Sequence, residues 1–325
     1  MYEYTQEIRD FINNARRKYG LLENQAQWSQ LCSCLDVIED SDLAIDAYSS
    51  LIETVKAGGF GASDGERYLV VYGLLQALFA QQDAAFNLCE ALKIPETLND
   101  YPRLKEIREI RNASVGHPTK KDRPKSRPIS YNFISRPTLG LGGFQLLSNY
   151  SDGKSEFKNV SIHNLIADQK KYISDILTLV KRKLEDEEVA HKEKFKTEKL
   201  APILDCDYHF GTILGAVRTT HEPIEQDRLC ALSAEYLKSI KQRLASFQES
   251  LARRGIGRQT QDYIDYVYEL LEYSLDELER FFQSVISGGQ PNINEKAAHI
   301  FTFFAEKQVA ELRNMAREID EDYSS

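Results

Sequence analysis

Arg111 and His117 are the two side chains in this chain whose types and spacing best suit a reaction. They lie in the stretch Glu109-Ile110-Arg111-Asn112-Ala113-Ser114-Val115-Gly116-His117-Pro118. A guanidinium is permanently charged and matches two phosphate oxygens at once. An imidazole titrates near neutral pH and can take or give a proton. An RNA 2′-hydroxyl already stands beside its phosphodiester. A catalyst there need only move protons and stabilise the extra negative charge of the transition state. The plain alternative is that His117 caps a helix and Arg111 pairs with Glu106 or Asp122.

The surroundings favour chemistry. Asn112 follows the arginine and is suited either to satisfy free carbonyls or to orient the pair, Gly116 permits a sharp exit, and Pro118 prevents a return to helix. Between Arg103 and Arg136 stand ten basic and three acidic residues, in a chain of net charge −9. A basic island in an acidic protein is a candidate polyanion surface. Arg108, Lys120, Lys121, Arg123, Lys125 and Arg127 are its candidate RNA-binding residues, and a solvated loop is the competing explanation.

The elements that must position the pair read as helices. Tyr4, Ile8, Phe11 and Ile12 repeat at helical spacing, as do Trp28, Leu31, Leu35 and Ile38. Ser41 reads as a cap for a continuation to Leu51. The glycine-rich segment from Lys56 to Gly65 lacks the Gly-Lys-Ser/Thr ending of a phosphate loop and reads as a linker. Residues 66–93 are apolar nearly all round in their first half, the pattern of a helix buried in a bundle. Pro102 suits the first turn of a helix running to about Ala113, with Leu104, Ile107 and Ile110 inward. From 128 to 161 the period shortens to alternation, and Asp152-Gly153 marks a hairpin. Helix resumes near 162, and the charged run 186–200 reads as an exposed helical strut between domains.

The second half predicts helices at about 224–254, 259–286 and 294–320. Their expected inward rows are Leu229, Leu232, Tyr236, Ile240 and Leu244, then Tyr263, Tyr266, Leu270, Tyr273 and Leu278, then Ile300, Phe303, Phe304, Val309 and Leu312. The fold class expected is all-α: a helical bundle over 1–185 with a small antiparallel β insertion, a linker over 186–200, and a C-terminal helical domain over 201–325.

Composition excludes little else. At 28% charged and 42% hydrophobic residues the chain is ordinary for a globular protein. No apolar run approaches the ~18 residues of a membrane span, and Met1 to Arg17 does not read as a secretory signal. The five cysteines are unpatterned, which fits a reducing, cytoplasmic setting. Cys32 and Cys34 would point roughly 200° apart on a helix, a poor metal pair. Asp205, Asp207, His209 and His221 match no trusted ligand spacing, so neither metal nor cofactor is expected.

The Arg-Asn…His-Pro motif, with five residues between Arg111 and His117, resembles the signature of the HEPN (higher eukaryotes and prokaryotes nucleotide-binding) superfamily. The helix Tyr72-Gly73-Leu74-Leu75-Gln76-Ala77-Leu78-Phe79-Ala80-Gln81-Gln82-Asp83 resembles the core helix of such domains. The likeness covers roughly residues 25–185. It implies a HEPN-like bundle that forms a homodimer, joining two Arg/His pairs in one cleft. It further implies a metal-independent endoribonuclease of toxin–antitoxin or anti-phage type, with RNA as substrate and an antitoxin or defence-system protein as partner. Arg111 would then stabilise the phosphorane, His117 would act as general acid or base, and Asn112 would match the polar residue that often follows the arginine. The products would carry 2′,3′-cyclic phosphate and 5′-hydroxyl ends. Non-catalytic relatives leave two alternatives: an adaptor protein, or an RNA- or nucleotide-binding module.

Overall fold

The computed structural model describes residues 2–19, 25–56, 63–116, 129–217, 223–256 and 261–324. These are mostly helical, with one small three-stranded antiparallel sheet. No described helix is long and apolar enough to cross a membrane. The chain divides into two compact units, 1–13 with 22–186, and 14–21 with 187–325.

The first unit contains α2 (Gln25–Lys56), α3 (Asp64–Ala91), α4 (Pro102–Arg111) and three strands: β1 (Ser130–Ile134), β2 (Gly143–Tyr150) and β3 (Ser155–Ser161). It also takes most of α1 (Tyr2–Tyr19) and of α5 (Ile162–Phe195). α2 runs through Ser41 without a break, and Ser41 is buried mid-helix rather than capping a second helix. The next helix starts instead at Ser63, whose hydroxyl accepts from the Glu66 amide while Glu66 reaches back to the Ser63 amide. That reciprocal cap satisfies two otherwise orphaned donors. Leu35, Ile38, Leu75, Leu78, Ile107 and Ile176 are among the residues of one continuous core joining α2, α3, α4 and α5.

That core is not wholly apolar. Gln81, Gln82 and Gln169 are each fully buried. Gln169 Nε2 donates to Gln81 Oε1 at 2.9 Å and to the Leu78 carbonyl at 3.0 Å, and Gln82 Nε2 donates to Gln169 Oε1 at 2.9 Å. Gln81 Nε2 reaches the Ile38 carbonyl at 3.3 Å. Three helices are thereby pinned in one register by amides that tolerate no slippage.

The sheet order is β1-β2-β3, and β2 pairs β3 across the expected hairpin. Gly153 sits there at φ +85°, the backbone region a tight turn requires. Phe144, Leu146 and Val160 face inward. Lys158 Nζ donates to Glu106 Oε1 at 2.7 Å, tying the sheet to α4. Tyr48 donates to the Leu141 carbonyl at 2.8 Å, tying the β1–β2 connection to α2.

The second unit contains α6 (Asp207–Val217), α7 (Pro223–Arg253), α8 (Gln261–Ile286) and α9 (Glu295–Asp322). α6 was not expected. The stretch expected as a charged strut is helical through Phe195, and Phe195 and Leu200 belong to this unit's core. The expected inward rows hold in part: Ile240, Leu244, Leu278, Val309 and Leu312 are buried. Leu232, Tyr266, Tyr273, Ile300 and Phe303 are exposed, while Leu237, Val267, Leu271, Leu275, Ala298 and Ala305 are buried. Small and aliphatic residues let the helices approach closely, and Phe210, Phe247, Phe281 and Phe282 fill the core beside them.

Arg254, just past α7, is only 1% exposed. Its guanidinium donates to the carbonyls of Ser250, at 3.1 Å, and Glu198. Its Cζ lies 5.0 Å from the Phe195 ring centre and 5.6 Å from that of Tyr323. His191 bonds the Tyr323 hydroxyl at 2.8 Å, and burial lowers the imidazole pKa, which favours the neutral ring. Arg254→Met removes the donors and the ring contacts together. The expected loss is about 2–4 kcal/mol of stability, read by urea unfolding. An unchanged midpoint would contradict it.

Candidate active site

α4 is short and begins at Pro102, which occupies its first turn. Leu104, Ile107 and Ile110 recur at every third position and bury one face. Arg108 and Arg111, three residues apart, therefore share the neighbouring face. The helix does not exit after Arg111. It continues as one π-helical turn over Asn112–Gly116, and this turn lies against α3 and β1. Such turns recur at functional sites, because the wide turn re-aims side chains.

Arg111 is held from three sides. Nη2 donates to Gln76 Oε1 at 2.6 Å and Nη1 to Asn112 Oδ1 at 3.0 Å. Its Cζ stands 4.3 Å from the centre of the Phe79 ring. Both acceptors are neutral amides. Among the described residues no carboxylate pairs with Arg111. Glu106, the expected partner in the non-functional alternative, is engaged by Lys158 and Arg103, and those contacts lower its carboxyl pKa. Asp122 lies outside the described residues.

The guanidinium charge is thus oriented but not neutralised. One N–H on each terminal nitrogen remains for a ligand, enough for bidentate contact with a phosphate. Nε is buried without an acceptor among the described residues.

The sharp exit expected at Gly116 leads into residues outside those described, and Gly116 itself is not one of the positive-φ glycines. A Cβ there would meet Arg111 Nη1 at 2.7 Å and Asn112 Oδ1 at 3.1 Å. The glycine leaves the room in which the guanidinium and its amide partner sit.

Arg108 has another role. Its Nε donates to Gln82 Oε1 at 3.0 Å and its guanidinium pairs with Asp83. It also lies 4.7 Å from the Phe79 ring centre. Its charge is compensated within the fold, which weakens it as an RNA contact. His117, Lys120, Lys121, Arg123, Lys125 and Arg127 lie outside the described residues, so Arg111 and Asn112 are the expected catalytic residues placed here. His221 likewise lies outside. Asp205 and Asp207 both accept from Arg313 Nη1, at 3.1 and 2.9 Å, and so form an ion-pair cluster.

Gln76, Phe79 and Asp83, at i, i+3 and i+7 on α3, carry the supporting contacts. Helical spacing alone had assigned this stretch to the core. A groove of about 260 Å³ between α2 and α3 is lined by Gln76, Phe79, Asp83, Ser33, Val37 and Asn87, and so shares Gln76 and Phe79 with the supports of Arg111.

Compared with known proteins, the chain matches no family model, no curated protein and no solved structure. The functional assignment therefore rests on the residues themselves.

Proposed function

We propose that this chain is a metal-independent, HEPN-like endoribonuclease. The observation that carries the proposal is the Arg111 guanidinium, fixed by Gln76, Asn112 and Phe79 with no carboxylate partner among the described residues, six positions before His117. An arginine held by neutral groups keeps its full field for an anion. In the proposed reaction the O2′–P bond forms and the P–O5′ bond breaks. A base takes the 2′-hydroxyl proton, an acid returns one to O5′, and Arg111 stabilises the charge on the non-bridging oxygens. His117 fills one proton-transfer role. The second copy of a homodimer supplies the other, and Asn112 keeps the guanidinium aimed. A toxin or anti-phage effector held in check by a partner protein is the biological setting that fits.

The test is cleavage of total RNA by the purified chain in EDTA, with product ends characterised. The proposal expects 2′,3′-cyclic phosphate and 5′-hydroxyl termini. Intact RNA recovered under all conditions would instead support a binding module or adaptor. A subtler outcome follows from the π turn. In Gly116→Ala the new methyl displaces a flexible side-chain end, which costs little stability. It nonetheless moves Arg111, and a shift of that size lowers rate by about 10–100-fold. Cleavage kinetics beside a thermal melt would check this. A wild-type rate would show that guanidinium placement is unimportant.

A further inference from the structure

β1 has its alternation inverted. Ser130 and Asn132 face the interior at 0% and 5% exposure, whereas Tyr131 and Phe133 face outward at 39% and 53%. The inversion is costly. Ser130 Oγ and Asn132 Nδ2 are buried with no partner among the described residues, while two aromatic rings forgo burial. Exposed large apolar groups set against buried polar ones are the departure from ordinary packing that calls for explanation.

The register extends this face across the sheet. Phe133 stands opposite Leu147, which stands opposite Phe157, exposed at 62%. Tyr131 and Phe133 are about 7 Å apart along the strand, and Phe133 and Phe157 lie about 10 Å apart across it. Leu147 lies between the two phenylalanines, and the residues beside them on this face, Gln145, Asn149, Ser155 and Asn159, are polar but uncharged. Asn149 accepts from Ser155 at 2.8 Å, and Gln145 donates to Asn159 at 3.2 Å.

In the sequence, positive charge lies on both sides of the aromatic strand. Lys120, Lys121, Arg123, Lys125 and Arg127 precede it in sequence, and exposed Arg136 follows it. Rings at intervals among amides, flanked by cations, suit one kind of polymer: unpaired bases on a phosphate backbone. A protein-docking face would not call for the flanking basic run.

We propose that the outward face of this sheet binds single-stranded RNA, with Tyr131, Phe133 and Phe157 stacking on bases. It rests on the ribonuclease assignment for the identity of the polymer. Because β1 lies against the π turn after Arg111, bases held on the sheet belong to the same strand whose phosphate reaches the guanidinium.

The test uses the full chain carrying His117→Ala, so that RNA survives, and a fluorescein-labelled oligouridylate read by anisotropy. Phe133→Ala with Phe157→Ala should weaken binding by at least about tenfold, with an unchanged thermal melt. Tryptophan at both positions should preserve affinity, and leucine should not. Affinity within about twofold of the parent would overturn the proposal. So would equal rescue by leucine, or a change in oligomeric mass without a change in RNA affinity. Cleavage of a dinucleotide, too short to reach the sheet, by the chain with native His117 separates the two proposals. If the dinucleotide is cut but oligouridylate affinity ignores the aromatics, the platform fails and the nuclease stands. If affinity falls with the aromatics but no RNA is cut, the nuclease fails and the platform stands.

Discussion

Arg111→Ala should cut RNA about 10²–10³-fold more slowly than the wild-type chain, and His117→Ala about 10²–10⁴-fold more slowly, with both proteins folded. The first figure is the usual effect of removing one fixed donor from a developing oxyanion. The second is the usual effect of removing a general acid or base. Arg111→Lys should fare little better than alanine. A lysine ammonium cannot bond Gln76 and Asn112, lie over Phe79 and still offer a forked pair of donors. Single-turnover cleavage of a labelled RNA measures all three, and circular dichroism checks the fold. Near-wild-type cleavage by Arg111→Lys would mean that only a point charge is required, and the fixed geometry would lose its significance.

The largest stability effect is expected at Gln169. Its side chain is fully buried and joins Gln81, Gln82 and the Leu78 carbonyl. Gln169→Leu keeps much of the volume but removes the buried bonds to Gln81 Oε1 and from Gln82 Nε2. Each buried group that loses its bond costs about 1–3 kcal/mol, so the variant should lose about 2–5 kcal/mol in urea unfolding. Replacing Gln81, Gln82 and Gln169 by leucine together should recover part of that loss, because no polar group is then left unmatched among the three. Cleavage by the triple variant should still suffer, since Gln82 also accepts from Arg108 beside the site. A single Gln169→Leu protein as stable as wild type would show that the network contributes nothing net.

The helical architecture and the inserted sheet were legible because they rest on local patterning. The α4 boundary follows from Pro102 and the spacing of Leu104, Ile107 and Ile110, and the β2–β3 hairpin follows from Asp152-Gly153. The arginine's supports were not legible. Gln76 and Phe79 sit in a strongly apolar helix, and nothing local marks them as facing α4 rather than the core. The use of Gly116 was hidden for a similar reason, since a close approach by a side chain five residues back leaves no trace in local composition. α6 was missed because Gly211 and Gly215 lower its helix propensity.

The inverted face of β1 and the outward aromatics of α8 and α9 share one cause. Hydrophobicity finds the period of an element, but which face is buried depends on its neighbours. β1 takes its register from β2, placing Ser130 opposite Tyr150 and Phe133 opposite Leu147. α9 packs through Ala298, Thr302 and Ala305, leaving Ile300 and Phe303 outside. Where packing overrides hydrophobicity in this way, the exposed rings become informative, and at β1 they carry the proposed RNA platform.

The most direct measurement compares an oligoribonucleotide with its fully 2′-O-methylated counterpart, incubated with the purified chain in EDTA. If the substrate's own hydroxyl is the nucleophile, with Arg111 and His117 supplying charge and protons, the ribose oligomer is cut and the methylated one is bound but stays whole. Cleavage of both at equal rates, or of the ribose oligomer only when divalent metal is restored, would contradict the account.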